Sequence, residues 1–139
     1  MYQNVLLQCS KDTRFKVAAL EAAGVARRNP ACGDEIELAV GLDADGGMAL
    51  QYTAQACAVT LASAAILAGA LQGLSPRAAS ARAEVAMTFF EGEEDWEEDW
   101  AVPEMRALGD VRAFPMRMAC VRLPWEAFRE ALEEGLKGG

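Results

Sequence analysis

Four cysteines, Cys9, Cys32, Cys57 and Cys120, carry the reactive chemistry available to a 139-residue chain that contains no histidine. Without imidazole there is no Ser-His-Asp or Cys-His catalysis, no HExxH zinc site and no intrinsic histidine pH switch. Sulfur is left as nucleophile and as soft metal ligand. The N-terminal residues carry no basic segment, long apolar run or small-residue cleavage site, so the cytoplasm is the expected compartment and reduced thiols, metal ligands or nucleophiles are expected rather than bridges.

The elements around these cysteines decide which of them can meet. Glu35 to Leu42 puts Ile36, Leu38, Val40 and Leu42 on one face, the period-2 pattern of a strand; Asp43 to Gly47 is a turn, and Met48 to Ala56 alternates again. The pair reads as an antiparallel hairpin. If Leu42 faces Met48, Asp34 falls opposite Ala56 and Gly33 opposite Cys57, so Cys32, Asp34 and Cys57 converge at one end. Cys57 also stands at the mouth of a helix beginning at Ala58, where the helix dipole favours thiolate. Cys120 follows Arg117 by three residues, one helical turn, which would set a guanidinium beside the thiol. If that helix folds over the hairpin end, three thiolates and the Asp34 carboxylate form a Cys3Asp set suited to tetrahedral zinc. Each cysteine also has a plainer reading as a small buried hydrophobe, and Cys9 keeps that reading.

The rest of the chain reads as scaffold. Residues 1 to 28 are expected to be helical with an interruption near Gly24, using Leu6, Leu7, Phe15, Val17, Leu20 and Val25 as apolar points. Ala58 to Gln72 is an apolar helix stopped by Gly73. At 14 residues its apolar part, Ala58 to Leu71, is short of the roughly 20 that span a bilayer. A further helix starts at Ser75-Pro76 and runs to Phe90, packing by Val85, Phe89 and Phe90. The acidic run Glu91 to Trp100 reads as a solvated loop, or as a partner-binding segment through exposed Trp96 and Trp100. A short helix after Pro103 carries Met105 and Leu108. Pro115 and Pro124 each open a later helix, the last with a stripe of Trp125, Phe128, Leu132 and Leu136. With 53% hydrophobic residues, no repeat and no linker, one domain over 1–139 is expected. A net charge of −8 without a basic run argues against nucleic acid and anionic membranes as partners.

Three blocks, Asn29-Pro-Ala-Cys-Gly-Asp34, Ala56-Cys-Ala-Val-Thr-Leu-Ala-Ser-Ala64 and Phe114-Pro-Met-Arg-Met-Ala-Cys-Val-Arg-Leu-Pro-Trp125, resemble the signature blocks of the NifU/IscU-like iron-sulfur cluster assembly proteins. The resemblance is to the zinc-dependent SufU branch. The long stretch from Cys57 to Cys120 accommodates that branch's insertion, and Ala119 stands where IscU-type proteins place a ligand histidine. It implies an α+β fold, a small antiparallel sheet with helices packed on one side, SufE/NifU-like. It implies zinc on Cys32, Asp34, Cys57 and Cys120. It also implies sulfurtransferase activity, with Cys32 accepting persulfide sulfur from a PLP-dependent cysteine desulfurase and passing it to a downstream iron-sulfur scaffold; Arg117, from its spacing to Cys120, is the second candidate catalytic residue. The molecule would be a monomer or weak dimer. A desulfurase histidine could take the position Cys32 vacates, and Asp34 is the harder, more replaceable ligand. Two other readings stay open: a scaffold carrying a transient two-iron cluster on the same residues, since thiolates suit iron-sulfur clusters equally, and a noncatalytic zinc-stabilised binding module. The family's N-terminal His-Tyr-x-x-Pro-x-Asn-x-Gly block is replaced by Cys9-Ser-Lys-Asp-Thr-Arg-Phe-Lys16, and the glycine before its second cysteine is Ala56.

Overall fold

A computed structural model of the chain describes residues 2–21 and 24–138, with the side chains at 2 and 135–138 outside that description. The elements are α1 (Tyr2–Ser10), β1 (Val25–Asn29), β2 (Asp34–Leu42), β3 (Met48–Gln55), α2 (Ala58–Leu71), α3 (Pro76–Glu91), α4 (Val102–Asp110), a 3-10 turn (Val111–Ala113) and α5 (Pro115–Gly138). The three strands form an antiparallel sheet in the order β1-β2-β3. The hairpin register is the expected one, from Leu42 opposite Met48 to Glu35 opposite Gln55.

One face of the sheet packs on the helices. Ile36, Leu38, Leu50 and Tyr52 share that face through their cross-strand pairing, and all are buried with Trp125, Phe128 and Val121 of α5 and Leu67 and Leu71 of α2. Because α2 is apolar all round, it lies inside the molecule, and its alanines let α1 and α5 approach closely. Its two buried hydroxyls are both paired. The Ser63 hydroxyl donates to the Val121 carbonyl at 2.6 Å and accepts the Trp125 indole N–H at 3.0 Å, which pins α5 to α2 beside Cys120.

Several expectations are corrected. The N-terminal stretch is not one helix: α1 ends at Ser10, and Tyr52 hydrogen-bonds Phe15 and Val17 along the edge of β3. Val25–Asn29 is a strand because the free edge of β2 supplies backbone partners that an isolated helix would forgo. Gly24 adds a local reason, since a Cβ there would lie 2.9 Å from the Leu38 carbonyl oxygen. Residues 22 and 23 of the expected helix lie outside the described residues.

Pro124 does not open a helix but sits inside the continuous α5, and the Leu136 side chain is outside the description. Val85 is 39% exposed, because the buried stripe of α3 runs through Ala79, Ala83, Ala86 and Phe90 and leaves Val85 off that face. Leu42 is exposed too, at the turn end of its strand.

The acidic segment is also revised. Its carboxylates are solvated, but Trp96 is buried, edge-on to Phe89 with ring centroids 5.0 Å apart, and its N–H donates to the Trp100 carbonyl at 3.0 Å. Trp100 is half-buried beneath the Arg82 guanidinium. Arg112 stacks on Phe89 and donates to the carbonyls of Phe89, Gly92 and Glu94, fastening the loop to the body. These indoles anchor the loop rather than offer an exposed surface.

Candidate metal centre

The β1–β2 connection builds the first part of the site. The Asn29 carbonyl accepts the N–H groups of Cys32 and Gly33, and its side-chain oxygen accepts the Ala31 N–H at 3.1 Å. Gly33, at φ +74°, closes the turn in a conformation that an L side chain rarely adopts. The result is a tight turn with Cys32 exposed near its tip and Asp34 buried where β2 starts. The convergence read from the register is present: the Cys57 N–H donates to Asp34 Oδ1 at 2.9 Å.

Cys57 is the N-cap of α2 and makes no side-chain cap bond of its own. The Thr60 hydroxyl, in the first turn of that helix, donates to Asp34 Oδ2 at 2.6 Å and lies 3.6 Å from the Cys57 sulfur. From the other side α5 brings Cys120, whose sulfur is 3.6 Å from that of Cys32 and 3.9 Å from Asn29 Nδ2. One potential ligand atom from each of Cys32, Asp34 and Cys120 lies within 4.8 Å of the others. Cys57 is at the site but not in that tight group; its thiol is exposed and turned to Thr60. Cys9 lies elsewhere, half-buried in a cleft of about 270 Å³ with Asp12, Arg14 and Glu104.

The electrostatics differ from the sequence expectation at Cys120. Burial first, then the Cys32 hydrogen bond and the Cys57 charge, push its thiol up to about 12. Arg117, expected to lower it, is exposed, and its guanidinium makes no hydrogen bond or ion pair among the described residues. A helical offset of three residues brought the guanidinium to the same end of α5 without bringing it to the sulfur. At Asp34 burial works to raise the pKa, yet hydrogen bonds from Thr60, Cys57 and Cys32 outweigh it and hold the carboxyl below its usual range.

The donor set fits a thiophilic divalent cation. Two thiolates on one tetrahedral zinc, each at about 2.3 Å, would stand about 3.8 Å apart, close to the 3.6 Å between Cys32 and Cys120. A buried carboxylate already held in its charged form supplies a third donor, and Cys57 at the rim can complete four. Thr60 and Asn29 were the residues whose roles the sequence concealed. Thr60 reads there as a polar interruption of an apolar helix and Asn29 as a loop former. The available signals were the three-residue spacing of Thr60 from the N-cap and the Asx-turn pattern of Asn-Pro.

Residues 1–121 match the family described as NifU-like N terminal domain. The chain belongs to that family. Among curated relatives, the zinc-dependent sulfurtransferase SufU of Bacillus subtilis (strain 168) is 28% identical over 137 residues, covering 97% of this chain and 92% of its own. The iron-sulfur cluster assembly scaffold protein IscU of Streptococcus pyogenes serotype M1 is 31% identical over 133 residues, covering 96% and 83%. The NifU-like N-terminal fold is shared with the crystal structure of a nitrogen-fixing NifU-like protein from Brucella abortus, at a TM-score of 0.81 and 17% identity over 99% of this chain and 96% of that one. It is shared also with a putative iron-sulfur cluster assembly scaffold protein for the SUF system from Fervidobacterium islandicum AW-1, at a TM-score of 0.77 and 24% identity over 92% and 93%. This NifU-like chain is thus a member of an iron-sulfur cluster assembly family with the expected α+β architecture. No helix among its described residues is long and apolar enough to cross a membrane.

Proposed function

We propose that this NifU-like protein, acting as one cytoplasmic domain over 1–139, is a zinc-binding sulfurtransferase that accepts persulfide sulfur from a PLP-dependent cysteine desulfurase and passes it to an iron-sulfur scaffold. The observation that supports this reading is the pairing of two unlike thiols: Cys32 exposed on a turn, and Cys120 buried in a helix with its sulfur 3.6 Å away. Cys120 and Asp34, both buried, are suited to holding a metal with Cys57 completing the set from the rim, whereas Cys32, exposed on its turn, can reach outward. Zinc, when bound, would keep these thiols in their deprotonated form.

In the transfer step, the Cys32 thiolate attacks the outer sulfur of the donor persulfide. A new S–S bond forms at Cys32, the donor S–S bond breaks, and the donor cysteine leaves as thiolate, with no net oxidation or reduction. The exposed Arg117 is assigned to the incoming persulfide, whose negative charge it would complement.

The test adds a cognate desulfurase and free cysteine and measures desulfurase turnover with and without this protein. Stimulated turnover and a mass gain of about 32 Da on the Cys32 peptide, one sulfur atom, are expected. No stimulation and no sulfur on any thiol would overturn the proposal. The 31% identity to an IscU scaffold favours a second reading, a transient two-iron cluster on the same residues. Metal analysis separates the two: near-stoichiometric zinc without visible absorption supports the transferase, and brown protein with iron and acid-labile sulfide supports the scaffold.

A further inference from the structure

The carboxylate of Asp34 already has two partners that belong to α2. Oδ1 takes the Cys57 N–H and Oδ2 takes the Thr60 hydroxyl, with Asp34 4% exposed and Thr60 fully buried. In a capping box the residue three positions into a helix reaches back to the N-cap N–H. Here that acceptor comes instead from β2, and the third residue of the helix, Thr60, holds the acceptor in place. The strand that carries Asp34 and the helix that starts after Cys57 are therefore clasped at the site itself.

A carboxylate offers about four lone-pair positions. The clasp occupies one on each oxygen and leaves one on each for a cation. We propose that Thr60 is a positioning residue for the metal centre: its hydroxyl fixes the orientation of the Asp34 carboxylate and keeps that carboxylate paired whether or not a metal is bound. This rests on the zinc reading of Cys32, Asp34, Cys57 and Cys120. A buried carboxylate that gave up a metal with no other partner would be left as an unpaired charge, which a protein interior penalises strongly. With the clasp intact, both oxygens remain hydrogen-bonded. Asp34 is then held in its ligand position while the exposed Cys32 moves.

The experiment measures zinc affinity by chelator competition for the parent protein, Thr60→Val, Thr60→Ser, Asp34→Asn and the double variant Thr60→Val with Asp34→Asn. Hydrogen bonds that orient ligands are typically worth about 10–100-fold in metal affinity, and Thr60→Val is expected to lose that much. Thr60→Ser restores the hydroxyl and keeps parental affinity. Asp34→Asn can preserve the clasp, its amide oxygen accepting from Cys57 and its NH2 donating to Thr60, while losing the charged ligand. In that background Thr60→Val is expected to change zinc affinity far less than in the parent, since Asp34 is its main route to the metal and the remainder is its 3.6 Å contact with the Cys57 sulfur.

Cobalt substituted for zinc gives a second readout: Thr60→Val should shift the visible ligand-field bands, and Thr60→Ser should not. Circular dichroism of the metal-free variants checks folding, and Thr60→Ala takes the place of Thr60→Val if the latter does not fold. Parental affinity in Thr60→Val, or an equal loss in the Asp34→Asn background, would overturn the positioning role while leaving the zinc reading standing. Failure of the parent protein to bind zinc would overturn both.

Discussion

The sulfurs of Cys32 and Cys120 stand 3.6 Å apart although 88 positions separate them in the chain, one exposed on a turn and the other buried in α5. Thiols this close are as ready for an oxidant as for a cation. In metal-free protein treated with oxidised glutathione, a Cys32–Cys120 bridge is expected, with the glutathione disulfide reduced to two thiols. Nonreducing peptide mapping should show these two peptides linked and Cys9 free. Zinc-loaded protein should resist the same treatment. A bridge that includes Cys9 would contradict the arrangement.

Removing zinc should destabilise the fold. If free zinc stands at about a thousand times its dissociation constant, binding contributes about 4 kcal/mol, so chelation should lower the melting temperature by roughly 10–15 °C. Cys57→Ser and Cys120→Ser should lose both the zinc and most of this increment, and Asp34→Ala should weaken zinc less than either. Elemental analysis and calorimetry check this. Full zinc and parental melting in all three variants would rule out the four-residue centre.

Alkaline pH should weaken the metal-free protein. The folded Cys120 thiol is raised from 9.0 to about 12, so the folded state keeps a proton that the unfolded chain gives up. The stability this contributes is complete below about pH 9 and is lost as pH climbs from there towards about 12. Cys9, raised by burial first and then by Glu104 and Asp12, shares the start of this window, and Tyr52 joins it above about 10. Urea midpoints between about pH 8 and 10 should fall less in Cys120→Ala than in the parent. Equal slopes would show that Cys120 does not drive the effect.

Trp96 should behave as a core residue despite its acidic neighbours. Trp96→Ala removes a buried ring packed on Phe89 and should cost about 3–5 kcal/mol, whereas Glu97→Gln with Glu98→Gln, both exposed, should change stability by less than about 0.5 kcal/mol each. Denaturant titration distinguishes the two. Equal small effects would return Trp96 to the surface.

Arg117 should matter for transfer alone. Being exposed and unpaired among the described residues, Arg117→Ala is expected to leave zinc content unchanged and stability within about 0.5 kcal/mol. Desulfurase stimulation should fall. Loss of zinc in this variant would mean that Arg117 supports the centre itself.

Much of the site was legible because an antiparallel register is arithmetic: once Leu42 faces Met48, Asp34 must reach the start of α2. The sequence also marks Cys32 as a loop thiol through Asn-Pro before it and glycine after it. It could not mark β1, whose two adjacent arginines mask a short alternation that only pairing with β2 stabilises. Nor could it place Trp96, since burial there depends on Phe89 and Arg112 arriving from other elements. Arg117 shows the limit of spacing arguments. Three residues define a turn of helix, but whether a long side chain turns to the thiol or to water depends on what packs beside it.

Pro124 lies inside α5, and a proline has no N–H for the carbonyl four residues earlier, which is that of Cys120. The helix therefore lacks one rung of its ladder at the residue that carries the buried thiol. On the far side of the gap, Trp125 and Phe128 are seated in the core; on the near side, Phe114 and Met116 are bare to solvent. The grip on α5 beside that missing rung comes from across the bundle instead, where Ser63 of α2 donates to the Val121 carbonyl on one flank and accepts from the Trp125 indole on the other, so a small hydroxyl does for the sulfur's helix what the absent N–H cannot.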